Sequence, residues 1–175
     1  IKVLKKMTEN WKISLIDTGE DTNTAGRILK IKKYVNENFL LTYGDGLSNV
    51  NIRNLIRFHK KGKKIVSLTG IQPTGRFGAL KISQKSELVE NFVEKPDGDG
   101  GWVNGGFFVF NKKIFNYIKN NKSILETDVL PKLAQNKQVS VFKHKSFWYA
   151  MDTLRDKNYL LHLWNSNKAP WKIWK

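Results

Sequence analysis

The chain has 175 residues, of which 40% are hydrophobic, so it is long enough for one domain with one core and has an ordinary globular composition. Cysteine is absent, which excludes disulfides and thiolate metal sites. No apolar run approaches the roughly 18 residues of a membrane-spanning helix, and the first residues contain no apolar block typical of a signal peptide. We therefore expect a cytoplasmic protein.

The formal net charge is +16, carried by 26 Lys and five Arg residues against 15 acidic residues. Such a charge can indicate binding to nucleic acid. Proteins that read nucleic acid specifically rely on Arg for bidentate contacts, whereas these Lys residues are spread along the whole chain. We attribute the charge to general surface composition and expect no nucleic-acid partner, with a basic nucleic-acid-binding module as the alternative. A positive surface would also attract phosphorylated small molecules.

The hydrophobic pattern predicts alternating strands and helices. In chain order, we predict a strand at 11–16, a strand at 39–43, a helix at 51–61 closed by Gly62, strands at 65–71, 79–82, 88–94 and 102–110, helices at 114–118 and 124–133, short strands at 139–142 and 147–148, and a helix that begins after Thr153 and ends near Trp164. Asp156 stands three residues after Thr153, which is the spacing of a capping box. This order is typical of an α/β domain with a mixed sheet.

The predicted strand at 39–43 ends at the tripeptide Gly44-Asp45-Gly46. Small neighbours let a ligand or a metal approach the carboxylate closely, and ligands of α/β sheets bind at the carboxyl ends of strands. Mg²⁺ is usually held by one or two carboxylates together with substrate phosphates, and Asp152 is a candidate second carboxylate. The alternative is that Asp45 is an ordinary turn residue and Asp152 a helix-start acid.

Two other predicted strands carry polar residues suited to a sugar phosphate. Glu94 and Lys95 end one of them just before a proline, where Lys95 could clamp a phosphate and Glu94 could accept hydrogen bonds from sugar hydroxyls. The alternative is a surface ion pair before a turn. Asn104 precedes two glycines inside a strand, Gly105 and the next residue. Glycines weaken a strand unless something approaches its backbone closely, and a sugar ring is a candidate for that approach.

The polar segment at 17–27 supplies two further candidates, Thr22 and Arg27, for contacts with a phosphate or a base. On its own this segment is only a polar loop.

Several conspicuous side chains are assigned to packing instead. His59 and His162 lie near apolar positions of predicted helices and have no metal-ligand spacing, so we expect structural or surface roles. Trp164, Trp171 and Trp174 cluster near the end of the chain, where we expect them to pack a terminal segment or a subunit contact.

Taken together, these stretches resemble the sugar nucleotidyltransferase family, most closely its glucose-1-phosphate cytidylyltransferase branch. The segment with the sequence Gly-Asp-Gly-Gly-Trp and the segment Met-Asp-Thr-Leu-Arg-Asp are the most specific to that branch. The matching stretches follow the family order and are residues 16–20, 42–46, 72–80, 94–96, 98–109, 147–148, 151–156 and 169–172.

The resemblance implies a Rossmann-like mixed sheet of the nucleotide-diphospho-sugar transferase type. It implies that CTP and glucose 1-phosphate give CDP-glucose and pyrophosphate, with Mg²⁺ as cofactor, in deoxysugar synthesis for cell-surface polysaccharides. It also implies a homo-oligomer for the full-length form, with no membrane partner. By this resemblance Asp45 and Asp152 would hold Mg²⁺, Gly44 would approach the nucleotide, Thr22 and Arg27 would contact the nucleotide or its phosphates, Glu94, Asn104 and Gly105 would line the glucose, and Lys95 would bind the sugar phosphate.

One family feature does not occur in the chain. The family opens with a glycine-rich loop, Gly-Gly-x-Gly-Thr-Arg, whose backbone N–H groups cradle the triphosphate. We therefore interpret residues 1–175 as the carboxyl-terminal part of a single nucleotidyltransferase domain, with a fold that is incomplete at its amino terminus. We expect these residues alone to be inactive or very weakly active.

Overall fold

The structure is a computed structural model that describes residues 11–73, 79–83, 87–93 and 101–174. The helices are α1 (Thr24–Lys30), α2 (Ile52–Gly62), α3 (Leu130–Gln135) and α4 (Leu154–Asn165), with short 3₁₀ segments at Lys32–Tyr34 and Lys112–Tyr117 and a π-helical turn at Leu125–Val129. The strands are β1 (Asn38–Thr42), β2 (Gly46–Ser48), β3 (Val66–Ile71), β4 (Ala79–Ile82), β5 (Val89–Val93), β6 (Val103–Asn111), β7 (Val139–Lys143) and β8 (Trp148–Ala150).

The predicted mixed α/β architecture is confirmed. Four strands form the main sheet in the order β1-β6-β3-β7. β6 is antiparallel to both of its neighbours, whereas β3 and β7 are parallel. Strands β1, β3 and β7 therefore all end at the same edge of the sheet. Two smaller antiparallel pairs, β2 with β8 and β4 with β5, accompany this sheet.

Alternation along the strands divides the apolar side chains between the two faces of the main sheet. One face carries Phe39, Phe108 and Phe110, and it packs against α1, the second 3₁₀ segment and α3 in a core that includes Ile114 and Leu133. The rings of Phe108 and Phe110 stack with centroids 5.2 Å apart. α2 covers the other face. The sheet is thus the middle of three layers.

The helix boundaries follow local chemistry. The side chain of Asn51 caps α2 by accepting a hydrogen bond from the backbone N–H of Asn54. Gly62, which was predicted to close this helix, is instead its last helical residue, and Lys63 takes the left-handed cap conformation at φ 49°. The capping box predicted for α4 is confirmed, because the side chains of Thr153 and Asp156 each accept a hydrogen bond from the other residue's backbone N–H.

The helix predicted at 124–133 is divided into two parts. A π-helical turn at Leu125–Val129 precedes α3, whose first turn contains Pro131. Proline has no N–H to donate to the carbonyl four residues earlier, and its ring crowds that carbonyl. A regular α-helix through this position is therefore disfavoured, and the wider turn takes its place.

The strand predicted at 11–16 was wrong. These residues form no strand, and the side chains of Trp11, Ile13 and Leu15 are mostly exposed, Leu15 by 83%. An apolar alternation becomes a strand only where a neighbouring strand takes its backbone hydrogen bonds. The sequence missed β2, which is too short to have a pattern of its own and forms by pairing with β8.

β1 lies at the outer edge of the main sheet in the part of the chain that the structure describes. Its sequence is apolar, and Leu40 is 51% exposed on the face that α2 covers elsewhere. None of the helices in the described ranges is long and apolar enough to cross a membrane.

Candidate active site

The candidate site lies at the edge of the sheet where β1, β3 and β7 end and β6 begins. Asp45 follows β1 by three residues, and Asn104 and Gly105 are at the start of β6. The carboxyl ends of parallel strands are where ligands of α/β sheets bind. The topology therefore brings candidates from distant parts of the sequence to one edge.

The segments that carry Asp45 and Asp152 are hydrogen-bonded neighbours. β2 pairs with β8 so that Gly46 lies opposite Ala150, and the backbone N–H of Met151 donates to the carbonyl of Asp45 at 2.9 Å. Both carboxylates lie on exposed residues. Two carboxylates with solvent around them fit Mg²⁺, which uses few protein oxygens and fills its other positions with water and phosphate. Within the described ranges, no group of three or more acidic or His residues is arranged for a metal.

Gly105 and Trp148 connect this small sheet to the main one. The indole N–H of Trp148 donates to the carbonyl of Gly105 at 2.7 Å. A side chain at Gly105 would meet Ile71 and the carbonyl of Thr69 at 3.0 Å, because the β3–β6 register shifts beside it. The backbone of Gly105 is thus closely approached by β3 of the same sheet.

A hydrogen-bond network that the sequence did not predict surrounds Tyr43, directly before Gly44 and Asp45. The Tyr43 hydroxyl donates to Glu126 at 2.6 Å and accepts from the side-chain amide of Asn104 at 3.2 Å. The Thr24 hydroxyl donates to the other Glu126 oxygen at 2.9 Å. Partial burial of the phenol, together with this bond to Glu126, raises the pKa of Tyr43 well above its ordinary value.

The backbone beside this network needs glycine. Gly106 has φ 77°, a left-handed conformation that other residues rarely adopt, and a Cβ there would lie 2.8 Å from the ring of Tyr43. The Gly106 N–H donates to the side-chain oxygen of Asn104 at 2.9 Å. The Asn104 side chain is therefore held by its own strand and by Tyr43.

Comparison with known proteins identifies the family to which this arrangement belongs. The family model described as nucleotidyl transferase matches residues 2–159. The chain belongs to the nucleotidyl transferase family. The glucose-1-phosphate cytidylyltransferase of Salmonella typhimurium is 45% identical over 177 residues, a match that covers all of this chain and 68% of the relative. The mannose-1-phosphate guanyltransferase 2 of Candida glabrata is 27% identical over 170 residues, covering 91% of this chain and 46% of that protein.

Solved structures confirm the fold of this nucleotidyl transferase. The crystal structure of HddC from Yersinia pseudotuberculosis complexed with GMP-PN superposes with a TM-score of 0.67 at 23% identity, covering 91% of this chain and 70% of that one. This superposition confirms the predicted α/β fold, and the 45% identity to the Salmonella relative confirms the predicted sugar nucleotidyltransferase family.

In this nucleotidyl transferase, the predicted nucleotide contact Thr22 directly precedes the N-cap residue of α1, and the predicted contact Arg27 is in the middle of that helix. Thr22 is 7% exposed, and its side chain lies beside Gly19. Arg27 is exposed, and its guanidinium donates to the hydroxyl of Thr18 and the carbonyl of Glu20. These bonds hold the cation against the 17–20 turn, and its contact with a nucleotide stays a prediction.

The remaining predicted residues are distributed as follows. Gly44 is exposed, and a Cβ there would meet nothing within 4 Å. Glu94 and Lys95 lie outside the described residues, so their sugar and phosphate roles stay predictions. His162 is exposed and His59 is buried, as the packing assignment requires.

The terminal tryptophans pack as expected. Trp171 stacks on Phe147 with ring centroids 5.4 Å apart, and Trp174 lies 6.4 Å from Trp164. The tail therefore packs beside β8 and α4 of the same chain.

Proposed function

We propose that the protein acts in cytidylyl transfer from CTP to glucose 1-phosphate, giving CDP-glucose and pyrophosphate. The structural observation that supports this most directly is the pairing of β2 with β8, which brings the segments of Asp45 and Asp152 together at the carboxyl edge of the sheet. Identity to the Salmonella typhimurium cytidylyltransferase is 45%, against 27% to the Candida glabrata guanyltransferase. This difference favours CTP and glucose 1-phosphate over the substrates of the more distant relatives.

The chemistry needs little from the protein besides binding and charge stabilisation. A phosphate oxygen of glucose 1-phosphate is already a nucleophile and needs no general base. It forms a bond to the α-phosphorus of CTP while the bond from that phosphorus to the bridging oxygen breaks, and pyrophosphate leaves with that electron pair. Asp45 and Asp152 would hold Mg²⁺, which when bound offsets charge on the phosphate oxygens. Lys95 would bind the sugar phosphate and Arg27 the nucleotide.

The 175 residues correspond to 68% of the Salmonella relative. In the family, the glycine-rich loop supplies the triphosphate cradle, and we propose that catalysis requires such a segment in addition to these residues. Pyrophosphate release by this chain alone is expected to be absent or very slow. A chimaera that adds the glycine-rich segment of the Salmonella relative is expected to restore it. Function in the cytoplasm, homo-oligomer formation and a role in deoxysugar supply for surface polysaccharides complete the proposal.

A carboxylate substitution tests the proposal. In the chimaera, Asp45→Asn should lower magnesium-dependent pyrophosphate release by at least about a hundredfold, because one oxygen ligand and its charge are lost. Glu37→Gln is the matched control. Glu37 directly precedes β1 at its opposite end, and the one bond described for its side chain, from the Asn111 side chain at 3.0 Å, can be accepted by Gln. Its backbone carbonyl accepts from the N–H of Lys112, a bond that the substitution leaves in place. Release that is unaffected by Asp45→Asn would contradict the metal role, and release with GTP or with mannose 1-phosphate in preference would contradict the substrate assignment.

A further inference from the structure

The network at Tyr43 has a fixed direction. The Gly106 N–H can only donate, so the Asn104 atom that it meets at 2.9 Å must be the amide oxygen. The Asn104 NH₂ group therefore faces the Tyr43 hydroxyl at 3.2 Å and donates to it. The Tyr43 proton is then free to be donated to the Glu126 carboxylate at 2.6 Å. The NH₂ group of Asn104 has two N–H donors, and these bonds use one of them.

Glu126 is itself held from a second direction. The Thr24 hydroxyl, at the start of α1, donates to Glu126 at 2.9 Å and accepts from the backbone N–H of Leu125 at 2.8 Å. The backbone N–H groups of Ala25 and Gly26 donate to the carbonyl of Ser123. Glu126 thus bridges α1, which precedes the main sheet in sequence, and Tyr43 at the end of β1.

The local backbone at Glu126 is also unusual. It lies in the π-helical turn Leu125–Val129, and such turns occur frequently at functional sites. Glu126 is exposed and makes no part of the apolar core. A glutamate on a solvent-facing turn does not need two hydroxyl partners to be stable there. The main effect of the two bonds is therefore to orient the hydroxyl groups of Tyr43 and Thr24.

We propose that Glu126 is a positioning residue for sugar recognition: through the Tyr43 hydroxyl it fixes the orientation of the Asn104 amide, so that the remaining N–H of Asn104 donates to one hydroxyl of the sugar phosphate. This inference rests on the proposed function for its ligand. The carboxylate acts on specificity, because a fixed donor distinguishes a sugar that has the matching hydroxyl from one that lacks it. A carboxamide at position 126 can still accept a hydrogen bond but carries no charge, and charge-assisted bonds are about twice as strong as neutral ones.

The first test measures binding rather than turnover. Wild-type 175-residue chain, Glu126→Gln and Tyr43→Phe are titrated by calorimetry with glucose 1-phosphate and with its 2-, 3-, 4- and 6-deoxy analogues. Wild type should bind one analogue about tenfold more weakly than glucose 1-phosphate, and Asn104→Ala should abolish that difference. Both network variants should reduce the same difference to about threefold or less, while the affinity for inorganic phosphate stays constant. Glu37→Gln should behave as wild type. An unchanged difference in both network variants overturns the proposal.

The second test does not depend on the sugar. The side-chain ¹⁵N–¹H resonances of Asn104, assigned by their absence from the Asn104→Ala spectrum, should shift in both Glu126→Gln and Tyr43→Phe and stay in place in Glu37→Gln. Unchanged Asn104 resonances in both network variants overturn the positioning role whatever binds. If the resonances shift as expected but wild type binds no sugar 1-phosphate, the Glu126–Tyr43–Asn104 linkage stands, whereas the proposed function and the sugar-recognition role of Glu126 both fail.

Discussion

The indole N–H of Trp148 donates a 2.7 Å hydrogen bond to the backbone carbonyl of Gly105, and this bond joins the β2–β8 pair to the main sheet. Gly46 on β2 is also close, since a Cβ there would lie 3.7 Å from the indole nitrogen. This side chain thus ties the strand pair that carries the Asp45 and Asp152 segments to the start of β6, where sugar binding is proposed.

Replacement of Trp148 by Phe should therefore destabilise the protein and loosen the site. The Gly105 carbonyl would lose a half-buried partner, which costs about 1–3 kcal/mol. Urea unfolding of the 175-residue chain measures this loss. Trp164→Phe is the matched control, because Trp164 is 44% exposed and contacts the tail rather than the sheet, and its effect should be below about 1 kcal/mol. Equal stability of the two variants would contradict the structural role of the Trp148 bond.

Two glycines near the site should respond differently to alanine. Gly106→Ala forces a left-handed conformation on alanine, at about 1–2 kcal/mol, and its Cβ would displace the ring of Tyr43. Gly44→Ala meets no atom within 4 Å and should change the unfolding free energy by less than about 0.5 kcal/mol. If the nucleotide approaches Gly44 as the family resemblance implies, Gly44→Ala should still weaken CTP binding in the chimaera. A Gly44→Ala variant that is stable and binds CTP normally would contradict that approach.

His59 should make stability depend on pH. Burial lowers the pKa of His59 below its ordinary value of 6.5. Its ring nitrogens contact Ser67 at 2.9 Å and Asn38 at 3.2 Å. The unfolded chain therefore binds a proton at a higher pH than the folded chain does, and the free energy of unfolding should decrease as pH falls below about 6.5.

Chemical denaturation between pH 5 and pH 8 checks this expectation. The decrease should be reduced in His59→Gln, measured relative to that variant's own stability at pH 8. It should remain in His162→Gln, because His162 is exposed. A pH dependence that is identical in wild type and His59→Gln would assign the effect to other groups.

In the described ranges no strand pairs with the outer edge of β1, so we expect this edge to promote self-association of the isolated chain. A strand edge with unpaired backbone groups and apolar side chains is a template for pairing with another chain. Leu40→Lys should therefore lower the apparent mass in sedimentation velocity at high concentration, with little change in stability because Leu40 is 51% exposed. Leu161→Lys, on α4 and 45% exposed, supplies the control. Equal effects of the two substitutions would indicate a general charge effect rather than edge pairing.

The sequence predicted those features that depend on neighbouring residues. The apolar runs of β1, β3 and β6 and the Thr153–Asp156 capping box appeared as expected, because periodicity and capping are set within a few positions. Asp152 was suggested as a partner of Asp45 from its residue type alone. The pairing of β2 with β8 brings the two segments together, and a contact between such distant segments leaves no local pattern in the sequence.

Hydrogen bonds between residues far apart in the chain could not be predicted from the sequence. Glu126 lies 83 positions from Tyr43, and the π-helical turn that carries it replaces the first part of the predicted helix, before Pro131. The sequence Glu-Thr-Asp before a proline was a possible signal, since it puts acids where an α-helix is disfavoured. The strand predicted at 11–16 was wrong for a related reason: alternation of apolar residues does not show whether a partner strand lies beside them.

The pairing of β2 with β8 has a consequence for the order of biosynthesis. Asp152 is translated well after Asp45, so a nascent polypeptide cannot bring both aspartates to one edge until β8 has left the ribosome. A stop codon between β7 and β8 would leave all four strands of the main sheet but would remove Trp148 and Asp152. Such a product would keep the strands of the core and lack one of the two proposed metal ligands.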